Sequence, residues 1–182
     1  MSNYAKIKTF DIANGTGVRT SIFFSGCEHY CKNCFNKELW DFNVGEPFNK
    51  QVYELKIKPT ISDYISGISL LGGEPLHPDN LSAAYDLIKW FKEDFPDKDI
   101  WLYTGYSLPN IMLYEEYTEK EPDEITLIRQ STISLCDVVV DGQYVDELKD
   151  LTLRFRGSSN QNIWKKQENG FVNTTKVCEL NV

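Results

Sequence analysis

Residues 19–35 read RTSIFFSGCEHYCKNCF, and this stretch joins a buried apolar run to a loop with three cysteines. The run RTSIFF (19–24) is rich in β-branched and aromatic residues, which predicts a buried strand. Cys27, Cys31 and Cys34 follow within eight positions, and no fourth cysteine lies close by in the sequence. Three closely spaced thiols directly after a strand are the strongest indication of chemistry in the chain.

Composition and charge narrow the class of protein. The chain has 182 residues, of which 41% are hydrophobic and 25% charged, as expected for one folded domain with a real core. A net charge of −8 argues against a nucleic-acid partner, which would need a basic face. We find no signal peptide and no run of roughly 20 apolar residues, so we expect no membrane partner and a cytoplasmic location. There, five cysteines are reduced thiols or metal ligands rather than disulfides.

Three further apolar runs predict buried strands in the same way. They are GISLL (67–71), DIWLY (99–103) and CDVVV (136–140). Because ligands gather at the carboxyl ends of parallel strands, the loops that follow these runs are candidate site segments. These loops read GGEPLHP, TGYSLPN and DGQY.

Helical patterns separate the predicted strands. In residues 78–96 apolar side chains recur at steps of three and four, Asp79 or Asn80 can cap the start, and Pro96 ends the pattern. Two more helical stretches are expected, one broken near KEPDE and one interrupted by Pro59: residues 107–135 and 48–66.

The alternation of strands and helices favours an α/β fold with a mostly parallel sheet. A complete eight-stranded barrel needs about 250 residues, so we expect an open, partial β/α barrel. LTLRFRG (151–157) and GFVNTT (170–175) suggest peripheral strands or a C-terminal extension. No repeat or linker divides the chain, so we expect one domain over residues 1–182, with a core of about 5–165 and a tail of unknown role.

Several kinds of site use cysteines at such spacings. A structural zinc site needs four ligands, so His29 or one of the two remaining cysteines would have to complete it. A redox pair is conceivable at Cys31 and Cys34, but it would leave Cys27 without a role. An iron–sulfur cluster uses all three thiolates and leaves one iron open, as catalytic metal sites keep a vacant position.

The spacing CxxxCxxC over residues 27–34 resembles the cluster motif of the radical S-adenosylmethionine (SAM) enzymes. The resemblance implies a 4Fe-4S cluster whose open iron is chelated by the amino and carboxylate groups of SAM. It also implies reductive cleavage of SAM to a 5′-deoxyadenosyl radical that abstracts a hydrogen atom. Many members carry an aromatic residue where this chain has Lys32, so backbone around Asn33, Cys34 and Phe35 is expected to approach the adenine.

The segment LLGGEPL (70–76) follows a predicted strand. Paired glycines let the backbone approach a ligand closely, and a carboxylate after them can accept charge-assisted hydrogen bonds from an ammonium group. The segment resembles the GGE segment of the same enzymes, which implies that Gly72, Gly73 and Glu74 hold the methionyl amino group of SAM. His77 is expected to be a polar loop residue or a helix cap.

Four polar residues follow the strands at positions that could face ribose or substrate, and turn capping is an equal alternative for them. They are Thr104, Asp141, Ser159 and Asn160.

The stretch NGTGVRTSIFFSGC (14–27) is similar to the signature of activases that install glycyl radicals on partner enzymes. A purely structural reading is also open, in which the glycines form a turn and Arg19 pairs with an acidic residue. The segments 137–144 and 153–164 narrow the resemblance to the activating proteins of anaerobic ribonucleoside-triphosphate reductases, over roughly residues 5–165.

This resemblance implies an oxidoreductase with a single radical SAM domain that generates a glycyl radical on the reductase. The implied partners are the large subunit of that reductase and a low-potential electron donor of the flavodoxin or ferredoxin type. Two alternatives stay open: another radical SAM enzyme that acts on a small molecule, such as a modified-base synthase, and a zinc-binding interaction module.

Overall fold

The computed structural model describes residues 2–175, which form a mixed sheet of eight strands. In chain order the strands are β1 Asn3–Asp11, β2 Val18–Phe24, β3 Glu46–Pro47, β4 Ile65–Gly72, β5 Asp99–Tyr103, β6 Val138–Asp141, β7 Asn162–Gln167 and β8 Gly170–Asn173. Their order across the sheet is β3-β1-β2-β4-β5-β6-β7-β8.

The α-helices are mostly short. They are α1 Lys50–Val52, α2 Pro78–Asp94, α3 Leu108–Met112, α4 Tyr114–Thr118 and α5 Glu124–Ser134. Short 3-10 or π turns lie at Lys37–Leu39, Tyr53–Ile57, Lys58–Thr60 and Asp146–Leu148. Over the described residues, no helix combines the length and apolar character that crossing a membrane requires.

The four strands predicted from apolar runs are confirmed as β2, β4, β5 and β6. They are neighbours in the sheet and pair in parallel, with Phe24 opposite Gly72, Leu70 opposite Leu102 and Tyr103 opposite Val140. Strands covered on both faces carry few polar residues, which is why these four are visible in the sequence. Their carboxyl ends lie along one edge of the sheet.

The predicted partial β/α barrel of the radical SAM type, with a mostly parallel sheet, is wrong. Across residues 2–175 the outer pairings β1–β2, β1–β3, β6–β7 and β7–β8 are antiparallel. A β/α barrel needs a helix after each parallel strand. In the described chain the connection from β2 to β4 contains strand β3 and helical segments of only three to five residues, and the connection after β6 contains one 3-10 turn. The sheet is therefore open and mixed, with antiparallel strands at both edges.

The remaining predictions for helices and the C-terminal region hold in part. The stretch 107–135 forms three helices, with a break near the predicted place, where Glu119 takes a left-handed φ of 56°. The stretch 48–66 contains an irregular helical segment that ends just after Pro59. The peripheral strand predicted at 170–175 is β8, whereas 151–157 forms turns rather than a strand.

Helix α2 is the main support behind the candidate site. His77 is its N-cap, because His77 Nδ1 accepts a hydrogen bond from the Asp79 backbone N–H at 3.2 Å, which confirms the cap role predicted for His77. The N-cap therefore lies two or three residues before the position predicted for it, which was Asp79 or Asn80. Asn80 is buried instead, and its Nδ2 donates to the carbonyl oxygens of Ser25 at 2.9 Å and Glu74 at 3.0 Å.

The core lies mainly on one face of the sheet, between the sheet and helices α2 and α5. Its fully buried members include Ile68, Leu70, Ile100, Leu102 and Val139 from the strands and Leu87, Ile88, Phe91 and Ile133 from the helices. A smaller cluster of Trp101, Val138, Val140 and Ile163 lies on the opposite face, with Phe155 from a connecting loop packed against it. Helices therefore cover one face of the sheet, and a loop covers part of the other.

The charged side chain of Arg19 is fully buried within the sheet. Its Nε donates to Ser69 Oγ at 2.8 Å and its Nη2 donates to the Ile68 carbonyl at 2.7 Å. Its Nη1 lies 2.6 Å from Asp99 Oδ1, and the guanidinium lies over the Trp101 ring at 5.5 Å. These contacts agree with the structural interpretation of Arg19, in which it pairs with an acidic residue.

We expect the Arg19→Met variant to lose about 3–5 kcal/mol of unfolding free energy, because it leaves Asp99 and several buried acceptors unpaired. Urea denaturation followed by circular dichroism measures this loss. The matched control is Lys56→Met, which removes an ion pair with Glu46 in which both side chains are about half exposed, and should cost less than about 1 kcal/mol. Equal losses in the two variants would contradict a structural role for the buried guanidinium.

Candidate functional site

The candidate site is a cavity of about 580 Å³ at the edge where the parallel strands end. Its volume is typical of small-molecule sites. The predicted residues that line it are Cys27, Cys31, Cys34, Phe35, Gly72, Gly73, Glu74 and Thr104. The loops after β2, β4, β5 and β6 all contribute, so four segments far apart in sequence meet around one space.

The cysteine loop is tied to the segment that follows it. The N–H groups of Gly26 and Cys27 donate to the carbonyl oxygens of Leu39 at 2.8 Å and Trp40 at 3.1 Å. These bonds fold residues 26–40 back on themselves, so the three thiols stay near the end of β2 and face the cavity.

The three thiols are free and lie in a negative environment. Burial raises the pKa of the Cys27 thiol to about 11, although a backbone hydrogen bond from His29 lowers it, and nearby Glu74 raises it further. Burial likewise raises the pKa of the Cys31 thiol. Thiolates can form here only beside a compensating positive charge, which iron or another metal centre would supply.

In residues 2–175 no three His, Cys, Asp or Glu side chains lie close enough together to hold one metal ion. In a cluster of several irons, each thiolate binds a different iron atom. The number and type of donors are therefore the relevant test of fit, and three soft thiolates suit an iron–sulfur cluster.

Glu74 is almost completely buried, and its carboxylate is fully hydrogen-bonded within the protein. Its Oε1 accepts from the Leu76 N–H at 2.9 Å and from Thr104 Oγ1 at 2.8 Å. Its Oε2 accepts from the Gly105 N–H at 2.7 Å and lies 2.9 Å from His29 Nε2. The carboxylate thus joins the loops after β2, β4 and β5.

His29 is a site residue that the sequence analysis missed, since it considered this side chain only as a zinc ligand. Its Nδ1 lies 2.9 Å from Gln143 Nε2, and its ring packs edge-on against the Tyr106 ring at 4.8 Å. A Cβ atom at Gly105 would collide with the imidazole. The position of His29 between the first two cysteines is the signal that could have drawn attention to it.

The GGE segment packs directly against the start of the cysteine loop. The Gly73 N–H donates to the Phe24 carbonyl at 2.7 Å, and the Glu74 N–H donates to the Gly26 carbonyl at 2.8 Å. Gly72 has a φ of +110°, and a Cβ there would lie 2.6 Å from the Phe24 carbonyl oxygen. A Cβ at Gly73 would collide with the Gly26 backbone, so this close approach needs both glycines.

Of the three residues expected near adenine, Cys34 and Phe35 line the cavity and Asn33 does not. Phe35 lines the cavity with 59% of its surface exposed, and its ring lies 5.5 Å from the Tyr144 ring. Asn33 takes a left-handed φ of 56° and its Nδ2 donates to Asp146 Oδ2 at 2.7 Å, outside the cavity lining. Contact between adenine and the backbone of Asn33, Cys34 and Phe35 stays a prediction.

The other polar candidates, apart from Thr104, make local structural contacts. Asp141 Oδ2 accepts from the Leu108 N–H at 2.6 Å, at the start of α3. The Ser159 N–H donates to the Leu148 carbonyl at 2.9 Å, and Asn160 Nδ2 donates to the Gln143 carbonyl at 2.8 Å. Of these three residues, only Asp141 caps a helix with its side chain, and none of the three is among the residues that line the cavity.

We expect Gly72→Ala to be more destabilising than Gly170→Ala, although the two glycines have similar φ values of +110° and +114°. Both variants carry a backbone strain of roughly 1–3 kcal/mol. A Cβ at Gly170 meets nothing within 4 Å, whereas at Gly72 it meets the backbone of β2 and should cost roughly another 1–3 kcal/mol. Thermal and urea unfolding measure the difference, and equal losses would argue against the close packing of the two loops.

Comparison with known proteins first defines the class of this site. Residues 13–164 match the family model described as 4Fe-4S single cluster domain, and the matched range contains the whole cysteine loop and the GGE segment. The family model supports an iron–sulfur cluster.

Relatives that align with this chain over almost their whole length narrow the class of protein further. The anaerobic ribonucleoside-triphosphate reductase-activating protein of Escherichia coli K12 is 40% identical over 161 residues, which are 87% of this chain and 96% of that protein. The proteins of the same name from Pasteurella multocida and Enterobacteria phage T4 are 39% and 34% identical over 166 residues each. Those alignments cover 90% and 91% of this chain, and 97% and 96% of the relatives. The chain therefore belongs to the family of anaerobic ribonucleoside-triphosphate reductase-activating proteins.

Proposed function

We propose that this chain is a SAM-dependent oxidoreductase that generates a glycyl radical on an anaerobic ribonucleoside-triphosphate reductase. One observation carries the proposal: the CxxxCxxC loop and the GGE segment, far apart in sequence, line one cavity. The names of relatives that are 34–40% identical supply the partner.

Cys27, Cys31 and Cys34 would hold a 4Fe-4S cluster, since all three are free thiols on one loop that faces the cavity. When bound, the cluster would supply the one electron for reductive cleavage of SAM, and the overall reaction would convert SAM and a glycine residue of the reductase into methionine, 5′-deoxyadenosine and a glycyl radical. A low-potential electron donor of the flavodoxin or ferredoxin type would provide that electron in the cytoplasm.

The GGE segment would hold the methionyl end of SAM. Glu74 carries a buried carboxylate beside the cysteine loop, and Gly72 and Gly73 allow backbone to line the cavity without side chains. A hydrogen bond between an ammonium group and a buried carboxylate is charge-assisted and stronger than a neutral one. These residues would orient the amino group of SAM toward the three thiols.

The cavity walls would protect the reaction from water and from side reactions. Leu71, Val140 and Phe155 contribute apolar surface to the lining. A primary carbon radical attacks many C–H bonds, so the site must exclude solvent and present one hydrogen atom. Glycine suits this purpose because it has no side chain and its Cα can approach closely. Binding energy from the larger reductase surface would stabilise the inserted glycine segment.

Electron paramagnetic resonance tests the proposed activity. We expect a glycyl radical doublet when the reconstituted, reduced protein is mixed anaerobically with SAM and the anaerobic reductase of the same host. The doublet should be absent when the activase, SAM or the reductase is omitted. Formation of 5′-deoxyadenosine without any protein radical would contradict the proposal and favour a small-molecule substrate.

We expect Cys27→Ala to abolish both the glycyl radical and the cleavage of SAM, because one cluster ligand is missing. Cys136→Ala is the matched control, since Cys136 is a fully buried thiol that contacts the Thr132 carbonyl in the core rather than the cavity. Iron and sulfide analysis together with the radical yield measures both variants. Full activity in Cys27→Ala would reject the ligand assignment.

A further inference from the structure

The carboxylate of Glu74 has no free acceptor position in this structure. A carboxylate offers about four lone-pair sites, and its two oxygens here have four donors within 2.7–2.9 Å. An ammonium group that enters the cavity can reach this carboxylate only if one donor leaves. The identity of the donor that leaves therefore matters for binding.

Three of the four donors are fixed by the fold. Leu76 and Gly105 donate through backbone N–H groups, which cannot leave without unfolding the loops after β4 and β5. Thr104 is buried, and its Oγ1 also accepts from the Tyr106 N–H at 3.1 Å, which fixes its hydroxyl. These donors hold the carboxylate in place.

His29 is the donor that can move. It belongs to the connecting loop that carries the cysteines, it lines the cavity, and its side chain is 12% exposed. Its Nδ1 faces the amide nitrogen of Gln143 at 2.9 Å. An amide nitrogen can only donate, so Nδ1 is the acceptor and the hydrogen lies on Nε2, directed at Glu74.

We propose that His29 is a positioning residue that occupies the ammonium-binding position on Glu74 and withdraws when the amino group of SAM arrives. This inference rests on the proposed function, because it takes SAM as the ligand with the ammonium group. In the ligand-free protein, His29 satisfies and orients the buried carboxylate. On binding, one donor to Oε2 replaces another, and His29 moves together with its partner Gln143.

Replacement of His29 by the ammonium group has a measurable consequence, which would not be expected if His29 had only a structural role. Breaking the bond between His29 and Glu74 opposes the binding of SAM, so removal of the imidazole should strengthen binding. A tenfold rise in affinity corresponds to about 1.4 kcal/mol, which is the lower end of what a hydrogen bond to a charged group contributes, so the affinity for SAM should rise at least roughly tenfold. This gain in affinity should be absent for a ligand that lacks the ammonium group.

The test measures equilibrium binding of SAM to reconstituted wild-type and variant proteins under anaerobic conditions. His29→Asn keeps a polar group near Gln143 but is too short to reach Glu74, so we expect it to bind SAM roughly tenfold more tightly. His29→Gln places an amide N–H near the position of Nε2 and should restore the wild-type affinity. A SAM analogue without the amino group should bind equally to wild type and His29→Asn.

His29→Ala is the second variant, and it should also gain affinity for SAM if His29→Asn fails to fold. Weaker or unchanged binding of SAM by a folded His29→Asn or His29→Ala would overturn the inference. An equal gain for SAM and the amino-free analogue would also overturn it, because it would reflect only additional space. Failure of the wild-type protein to bind SAM would instead overturn the proposed function on which the inference rests.

Discussion

The site depends on one close approach between two backbone segments. The Glu74 N–H reaches the Gly26 carbonyl, and Gly73 lies so near Gly26 that no side chain fits between them. This contact places the cysteine loop and the buried carboxylate at the same end of the parallel strands. Because β2 and β4 are neighbours in the sheet, the approach follows directly from their register, with Phe24 opposite Gly72.

The electrostatic character of the cavity follows from the same arrangement. Three thiols and a buried carboxylate converge, and burial raises the pKa of the Cys27 and Cys31 thiols. Such a site accumulates potential negative charge that only a cationic centre or ligand can balance. Iron and a sulfonium compound with an ammonium group both meet that requirement, which links the donor set to the proposed chemistry.

Much of the sheet could be predicted from sequence, and the exceptions have physical reasons. Strands β2, β4, β5 and β6 are covered on both faces and therefore appear as apolar runs. In strand β1 only Tyr4 and Asp11 are buried, and β7 includes the polar segment Lys165–Gln167, so neither forms an apolar run. The prediction of a barrel was wrong because it was drawn from the alternation of four apolar runs with helical patterns, which does not reveal the antiparallel pairings at both edges of the sheet.

The candidate site could likewise be predicted only in part from the sequence. The cysteines and the GGE segment could be predicted to meet, because each follows a strand and parallel strands end at one edge. The loop DGQY after β6 was also expected at this edge, but the segment 150–161, which contributes further residues to the cavity lining, could not be placed from sequence. The chain after β6 is joined to the cysteine loop in part by long-range polar pairs, such as Lys32 with Glu147 at 2.7 Å, in which both side chains are about two-thirds exposed. Exposed pairs of this kind leave no recognisable sequence pattern.

The proposed function requires that three thiolates hold a 4Fe-4S cluster, with one iron left for a ligand bound beside Glu74. Mössbauer spectroscopy of the protein reconstituted with iron-57, recorded with and without SAM, tests this most directly. We expect one iron site that differs from the others and changes its isomer shift when SAM is added. Iron sites that are all equivalent and unaffected by SAM, or a protein that binds zinc instead of iron, would contradict it.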